Sequence, residues 1–421
     1  MDLRIGGMPH FFKNSSNVER SGLGGGSLCV GAFLCLRLPL WWIRDKILLI
    51  VKSDRGFPPE NGGEMRELTE REVEDLLVGC AILGTGGGGD LEEGLKLVRG
   101  ALGAGRGVRL AALGELDPGS WIGSPYYCGA VSPQGEGIEG RVALWAFEVL
   151  EEFLGRPFAG VIAAELGGLA TAGAIAVAAE KGLPLLDADA LGRAAPELQC
   201  SYFYVKGIPI APMGLATPQG DLILIREIQG DARAEEVVRT LATRSGGMVG
   251  VCDHPAQVER LQGSCIEGTL SRALQVGMAR RQAVARGDDP TQAVAAAGFL
   301  LFTGKVEKHS FRVEGGFTLG EIVLAGEGDF SGRSYKIHYK NEHLISWLDG
   351  EVDVTVPDLI CVLDRETGMP ITNPNCQEGQ RVAVVGFPAP KEWRTPEGLR
   401  VLGPAFFGYE VEYVPLEGRR G

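Results

Sequence analysis

The sequence predicts an α/β protein: an N-terminal α/β domain with a largely parallel sheet, followed by a C-terminal β-rich domain. Three observations carry this. Gly160 to Ala164 and Leu183 to Leu186 are apolar strand-like runs joined by a small-residue helix, Ala170 to Lys181. Strand–helix–strand order requires parallel strands and a right-handed crossover. From Gly304 onward, short alternating runs separated by glycine- and proline-rich turns replace the helical pattern, as in a β-sandwich or barrel-like domain. The length of 421 residues, with 45% hydrophobic and 23% charged side chains, is enough for two such domains. The expected division is an extension at 1–64, an α/β domain at 65–245, and a domain at 246–421 with two helices before its strands.

Residues 1–64 read differently from the rest. The stretch to Gly26 is polar and glycine-rich, and Leu28 to Val51 is apolar but broken by Arg37, Pro39, Arg44, Asp45 and Lys46. A spanning helix needs about 20 mostly apolar residues, and no run here reaches that. The segment is read as a disordered or non-native extension ahead of Met65; the rival is a membrane-anchoring leader. Thr69-Glu70-Arg71-Glu72 is then a capping box, with Thr69 accepting from the Glu72 amide.

Helical spacing of Val73, Leu76, Leu77, Cys80 and Ala81 leads into Leu83-Gly84-Thr85-Gly86-Gly87-Gly88-Gly89-Asp90, and Leu91, Leu95, Val98 and Leu102 lead out of it. Each glycine in a helix costs roughly 1 kcal/mol relative to alanine, so a loop is expected. Two readings stay open. The loop is a cradle whose backbone amides and following helix N-terminus hold an anion or carbonyl, with Thr85 and Asp90 at its edges; or it is a tight corner needing positive φ. No Lys-Ser/Thr follows and no clear strand precedes it, which excludes a Walker loop and a Rossmann fingerprint.

Val108 to Leu113 and Tyr126 to Val131 are strand candidates, the latter followed by the turn-rich Ser132 to Gly137; Val142 to Phe153 is helical. Glu165, Asp187 and Asp189 stand at the carboxyl ends of the two predicted parallel strands, where open α/β sheets bind ligands. The amides of Gly167 and Gly168 should face them. Paired carboxylates suit general base work or a divalent metal. Asp187 is read mainly as a helix cap, Glu165 and Asp189 as functional. Arg193, one turn after Asp189, is placed to pair with it or to hold an anionic substrate group. A helix is expected from about Ala190 to Gln199, strands at Phe203 to Val205 and Leu222 to Ile225, and a helix over Ala234 to Thr243.

In the second half, helices are expected from Thr269 through Arg281 and from Asp289 to Leu301. Strands are expected at Lys305–Val313, Gly320–Gly326, Tyr335–Tyr339, His343–Leu348, Val352–Val356, Leu359–Asp364 and Arg381–Gly386. Asn341-Glu342, Pro357-Asp358 and Asp364 read as exposed turn residues. None of the five histidines forms an HxH or HExxH spacing. His309 is either an ordinary strand residue or a proton shuttle from the second domain. Cys265, in Gly263-Ser264-Cys265, is a weak candidate thiol nucleophile.

Net charge of −13 and a pI near 5.1 argue against nucleic acid or an anionic membrane as partner. The nine cysteines form no CxxC pair, which disfavours structural zinc and suggests reduced thiols in a cytoplasmic protein.

Several stretches together resemble the S-methyl thiohydantoin desulfurase family. They are the glycine loop, Glu165-Leu166-Gly167-Gly168, the run Asp187 to Gln199, Gly268 to Leu274, Val356 to Ile360 and Gly403 to Tyr409. The likeness covers about Leu68 to Pro415, and the Asp187–Gln199 run is its most specific part. It implies an α/β N-terminal and a β-rich C-terminal domain. It also implies hydrolytic removal of sulfur from a thiohydantoin ring and association with hydantoinase/oxoprolinase-type proteins. On the residue reading, Glu165 or Asp189 activates water, and the amides of Gly86–Gly89 or Gly167–Gly168 stabilise the anion. Arg193 holds a substrate carboxylate or Asp189; a divalent metal bridging the carboxylates is the variant. The rival functions are ring opening of a hydantoin-like cyclic amide and a non-catalytic hydantoinase subunit. The partner expected is a small cyclic amide or thioamide, bound by a homo-oligomer.

Overall fold

A computed structural model describes residues 65–103, 105–129 and 141–420. The extension at 1–64 and the turn Ser132–Gly137 lie outside the described residues. The first sheet has nine strands: β1 (Arg66–Leu68), β2 (Val108–Ala111), β3 (Trp121–Gly129), β4 (Gly160–Ala163), β5 (Leu185–Asp189), β6 (Met213–Ala216), β7 (Leu222–Ile225), β8 (Met248–Gln257) and β9 (Ile266–Glu267). Their order is β1-β2-β5-β4-β3-β8-β6-β7, with β9 beside β5. The centre, β2-β5-β4-β3, is parallel; β1, β8, β6, β7 and β9 join antiparallel.

Five helices position the site. They are α1 (Glu70–Leu83), α2 (Leu91–Leu102), α3 (Val142–Leu154), α4 (Gly168–Lys181) and α5 (Asp231–Arg244). The Thr69–Glu72 capping box opens α1 as the sequence predicts. Asp90 caps α2, its side chain accepting from the Glu93 amide at 3.0 Å. A sixth helix, α6 (Thr269–Arg286), packs along α1 at very short range. A Cβ on Gly79 would lie 1.7 Å from the Ala273 carbonyl oxygen, and one on Gly277 would lie 1.8 Å from that of Asp75. Only glycine admits two helix backbones this close.

The second sheet has seven strands: β10 (Phe299–Glu314), β11 (Phe317–Gly326), β12 (Ser334–Lys340), β13 (Glu342–Leu348), β14 (Glu351–Thr355), β15 (Leu359–Asp364) and β16 (Arg381–Phe387). All pairs are antiparallel, in the order β14-β13-β12-β11-β10-β16-β15. The sheet curls until β13 and β14 touch β15. Leu359, Cys361, Leu363 and Phe387 of this sheet share one buried cluster with Leu76, Leu77 and Cys80 of α1. The two halves therefore meet through a common apolar layer.

Three local readings differ from expectation. Ala190 to Gln199 is an irregular segment, because Asp189 and Glu165 accept its amides and replace helical bonding. Tyr202–Val205 is a short helix, not a strand, capped by Ser201. The helix after Asp289 stops at Ala295, since Phe299 already begins β10. In addition, residues 248–257 form β8, which pairs with β3. The chain just after 246 thus belongs to the first sheet, and the curled sheet starts at Phe299.

Candidate functional site

A cavity of about 410 Å³ opens at the carboxyl ends of β3 and β4. Its floor includes Tyr126 to Gly129 of β3 and Ala164-Glu165 after β4; Gly88 to Asp90 and Asn341-Glu342 close one side. Cys200, Arg239, Asp253 and His254 line other parts of the wall.

The glycine loop is shaped by what docks on it. Thr85, Gly86, Gly88 and Gly89 all have positive φ, at 53°, 84°, 68° and 81°; for a β-branched threonine this is an uncommon and strained conformation. Gly87 has a different reason for lacking a side chain. A Cβ there would lie 1.8 Å from Oε1 of Glu342. The Thr85 carbonyl accepts from the His343 amide at 2.8 Å, the Gly86 carbonyl from the Asn373 amide at 2.7 Å, and the Gly88 amide donates to Glu342 at 3.3 Å. The loop is a socket for the β12–β13 turn of the second half. Gly88, Gly89 and Asp90 reach the cavity, while Thr85 is fully buried beneath it.

Glu342 is the residue that sequence reasoning missed. Its place after Lys340-Asn341 resembled an exposed turn, yet it is 3% exposed and lines the cavity. Asn341 and Asp358 are likewise buried, not exposed turn residues. The sequence held one signal: Asn341 takes a left-handed φ of 57°, which Asn tolerates, and that turn aims the next side chain inward. Oε2 of Glu342 is buried without a hydrogen-bond partner. Burial raises its carboxyl to about 7, against the opposing pull of Arg193, the Gly88 amide and Arg239.

Glu165 faces the same cavity, and its Oε2 accepts from the Ala195 amide at 3.1 Å. Burial, then the nearby charge of Glu342, lift its carboxyl well above the usual range; Asp189 adds to this and Arg193 opposes it. The two glutamates, one from each half, line one cavity, and both carboxyls are raised, by burial first.

The other sequence candidates fall elsewhere. Asp189 is fully buried, and its Oδ1 accepts from the amides of Leu191 and Gly192, so it shapes the turn after β5 and lies outside the cavity lining. Arg193 does not pair with it. Nε donates to the Ala194 carbonyl at 2.9 Å and Nη1 to the Pro357 and Asp358 carbonyls at 3.0 and 3.1 Å. Nη2 donates to Thr85 Oγ1 at 3.0 Å and the His343 carbonyl at 3.1 Å. All five donors are spent, three of them on carbonyls of the second half, and none is left for a substrate. Gly167 and Gly168 pack against the backbone of Gly88 and Leu91, and the Gly167 amide donates to Thr171 Oγ1 at 3.0 Å. They are packing glycines and do not line the cavity.

His309 sits on β10 between the Cys376 carbonyl at 2.7 Å and the Tyr339 hydroxyl at 2.8 Å, away from the cavity. Cys265 is buried off the cavity, its thiol pushed up by burial to about 12. Asp187 binds the start of α6, accepting from the Ser271 amide at 2.8 Å and its hydroxyl at 2.6 Å. The bonding is structural, but it goes to α6 and not to the helix expected at Ala190, which does not form.

Among the described residues, no group of three or more His, Cys, Asp or Glu side chains is placed to hold a metal ion, and no helix is long and apolar enough to cross a membrane. The cavity wall carries two carboxyls with raised pKa, buried Glu342 and half-buried Glu165, an arrangement suited to moving protons onto and off a small bound molecule.

Comparison with known proteins adds the following. The description "S-Me-THD-like, N-terminal domain" matches residues 71–227, and "S-Me-THD-like, C-terminal domain" matches residues 229–416. The crystal structure of a protein from Chromobacterium violaceum superposes with a TM-score of 0.65 at 26% sequence identity, covering 83% of this chain and 100% of that one. None of the curated proteins compared matches the chain significantly.

Proposed function

The chain belongs to the S-Me-THD-like family, the family of S-methyl thiohydantoin desulfurase, over residues 71–416, and from this premise we propose that it hydrolyses sulfur from a thiohydantoin-type five-membered ring. The C=S bond becomes C=O and sulfide departs, or, from an S-alkylated ring, the C–S bond is replaced by C=O and a thiol departs. The observation that carries the reading is the pair Glu165, half-buried, and Glu342, buried, on the wall of one cavity large enough for such a ring.

The reaction needs two proton movements, and the pair supplies both. Glu342, whose ionised form the Gly88 amide steadies, takes a proton from water as the water oxygen bonds to the ring carbon. Glu165 gives its proton to the sulfur. The remaining hydroxyl proton returns to Glu165 as the C–S bond breaks, and the proton on Glu342 leaves with the departing sulfide. Water is consumed, hydrogen sulfide is released and both carboxyls regain their starting states; in an S-alkylated ring the proton of Glu165 goes to the ring nitrogen instead, and the thiol leaves with the proton from Glu342. This assigns the base role to Glu342 and the acid role to Glu165, the reverse of the water-activating role that strand-end position suggests for Glu165. The Gly88 amide bonds to Glu342 and steadies its ionised form, so the glycine loop serves the base.

The experiment is sulfide and thiol release from thiohydantoins, with and without chelator, for wild type, Glu165→Gln and Glu342→Gln. Each variant is expected to turn over about a hundredfold more slowly or worse, while its circular dichroism stays that of wild type. Near-normal rates in either variant refute the pair. Ring-opened acid without sulfide transfers the site to cyclic-amide hydrolysis, and loss of activity to chelator replaces proton transfer by the pair with a metal bridge.

A further inference from the structure

Opposite chemistry from the glutamate pair lies in the same cavity wall. Tyr126, Asp253 and His254 all line it. The Tyr126 hydroxyl donates to Asp253 Oδ2 at 2.6 Å. Oδ1 of Asp253 lies 2.9 Å from Nδ1 of His254, and Nε2 of His254 lies 3.3 Å from Oδ1 of Asp231 at the start of α5. All four side chains are buried. His254 also holds a left-handed φ of 44°, a strained state for a residue other than glycine.

A chain of two carboxylates, an imidazole and a phenol is an expensive way to fill a wall, since an apolar side chain of like volume packs there without desolvation cost. Its geometry fixes one thing firmly. With the hydroxyl proton committed to Asp253, the Tyr126 oxygen presents lone pairs and no donor. Burial opposes charge on His254, but Asp253 and Asp231 prevail and lift its pKa to about 9, so both ring nitrogens donate and Asp253 stays an acceptor.

We propose that Tyr126 is the cavity's acceptor for a ring N–H of the bound molecule, held in that role by Asp253 and His254 as positioning residues. The proposal rests on the reading that a five-membered, N–H-bearing ring occupies the cavity. It adds what the glutamate pair does not specify, namely which face of the ring's polar edge is recognised and how the ring is turned. A ring methylated at the recognised nitrogen loses the bond and meets the phenol oxygen with a methyl group.

The test is calorimetric binding of hydantoin, 1-methylhydantoin and 3-methylhydantoin to wild type, Tyr126→Phe and His254→Asn. Phe keeps the ring packing, and Asn tolerates the left-handed backbone. Wild type is expected to bind one methyl derivative at least about 10-fold more weakly than hydantoin, as loss of one good hydrogen bond implies. In both variants that ratio should fall to within about twofold. If Tyr126→Phe keeps the ratio, if neither methylation weakens binding, or if hydantoin does not bind, the acceptor role is overturned. If only His254→Asn keeps it, the positioning role of His254 is overturned. A ratio that collapses as expected in a protein releasing no sulfide upholds this inference and removes the desulfurase reading.

Discussion

Glu165 and Glu342 set the pH response of the site. With Glu342 ionising near 7 as the base, kcat/KM should fall tenfold per pH unit below that point and level off above it. Glu342→Gln should abolish the limb along with the rate; a limb that persists in the residual activity places the base elsewhere. Arg193 is predicted to matter for stability only. Replacing it with Met strands four carbonyls and the Thr85 hydroxyl in the interior, and should cost about 3 kcal/mol or more in urea unfolding. Glu165 was legible because the end of a parallel strand is a general address for ligands. Glu342 was not, because its address is set by a turn docking into a distant loop, Gly88 and Glu342 being 254 positions apart. Arg193 was misread for a related reason: one-turn spacing from Asp189 counts only in a helix, and Asp189 itself prevents that helix by capturing the Leu191 and Gly192 amides.

At the level of elements, the seven strands of the second sheet were readable, since alternation and turn residues are local properties. β8 was not; Cys252, His254 and Pro255 interrupt its pattern, and its partners β3 and β6 complete it. The glycine loop admitted two readings because both a ligand cradle and a docking socket demand bare backbone. The structure gives each glycine its own cause, positive φ for Gly86 and Gly88 and the presence of Glu342 for Gly87. Gly87→Ala should therefore push Glu342 out of register while straining no dihedral. The expected result is turnover slowed at least about tenfold, as misplacing a reacting group by an ångström implies. Its Tm should change less than that of Gly79→Ala, whose Cβ meets helix backbone. Equal losses of Tm in the two variants would contradict this.

Across the whole molecule, several titratable groups are shifted the same way, the two carboxyls by burial and His254 by Asp253 and Asp231 against burial. Asp189 and Glu342 are each raised to about 7, and His254 to about 9. A raised folded-state pKa contributes stability below the unfolded value that is lost as pH rises through the folded one. For the two carboxyls this window runs from about 4 to 7, and for His254 from about 6.5 to 9. Unfolding free energy should accordingly decline by a few kcal/mol from pH 5 to pH 9, and Glu342→Gln should flatten the part below pH 7. Denaturation curves at four pH values check both; a rise in stability over that range sinks the account.

The seam between the halves passes directly between Glu165 and Glu342, so hydration of the seam and proton traffic are one event. Water entering there would let both acids relax to their ordinary strength.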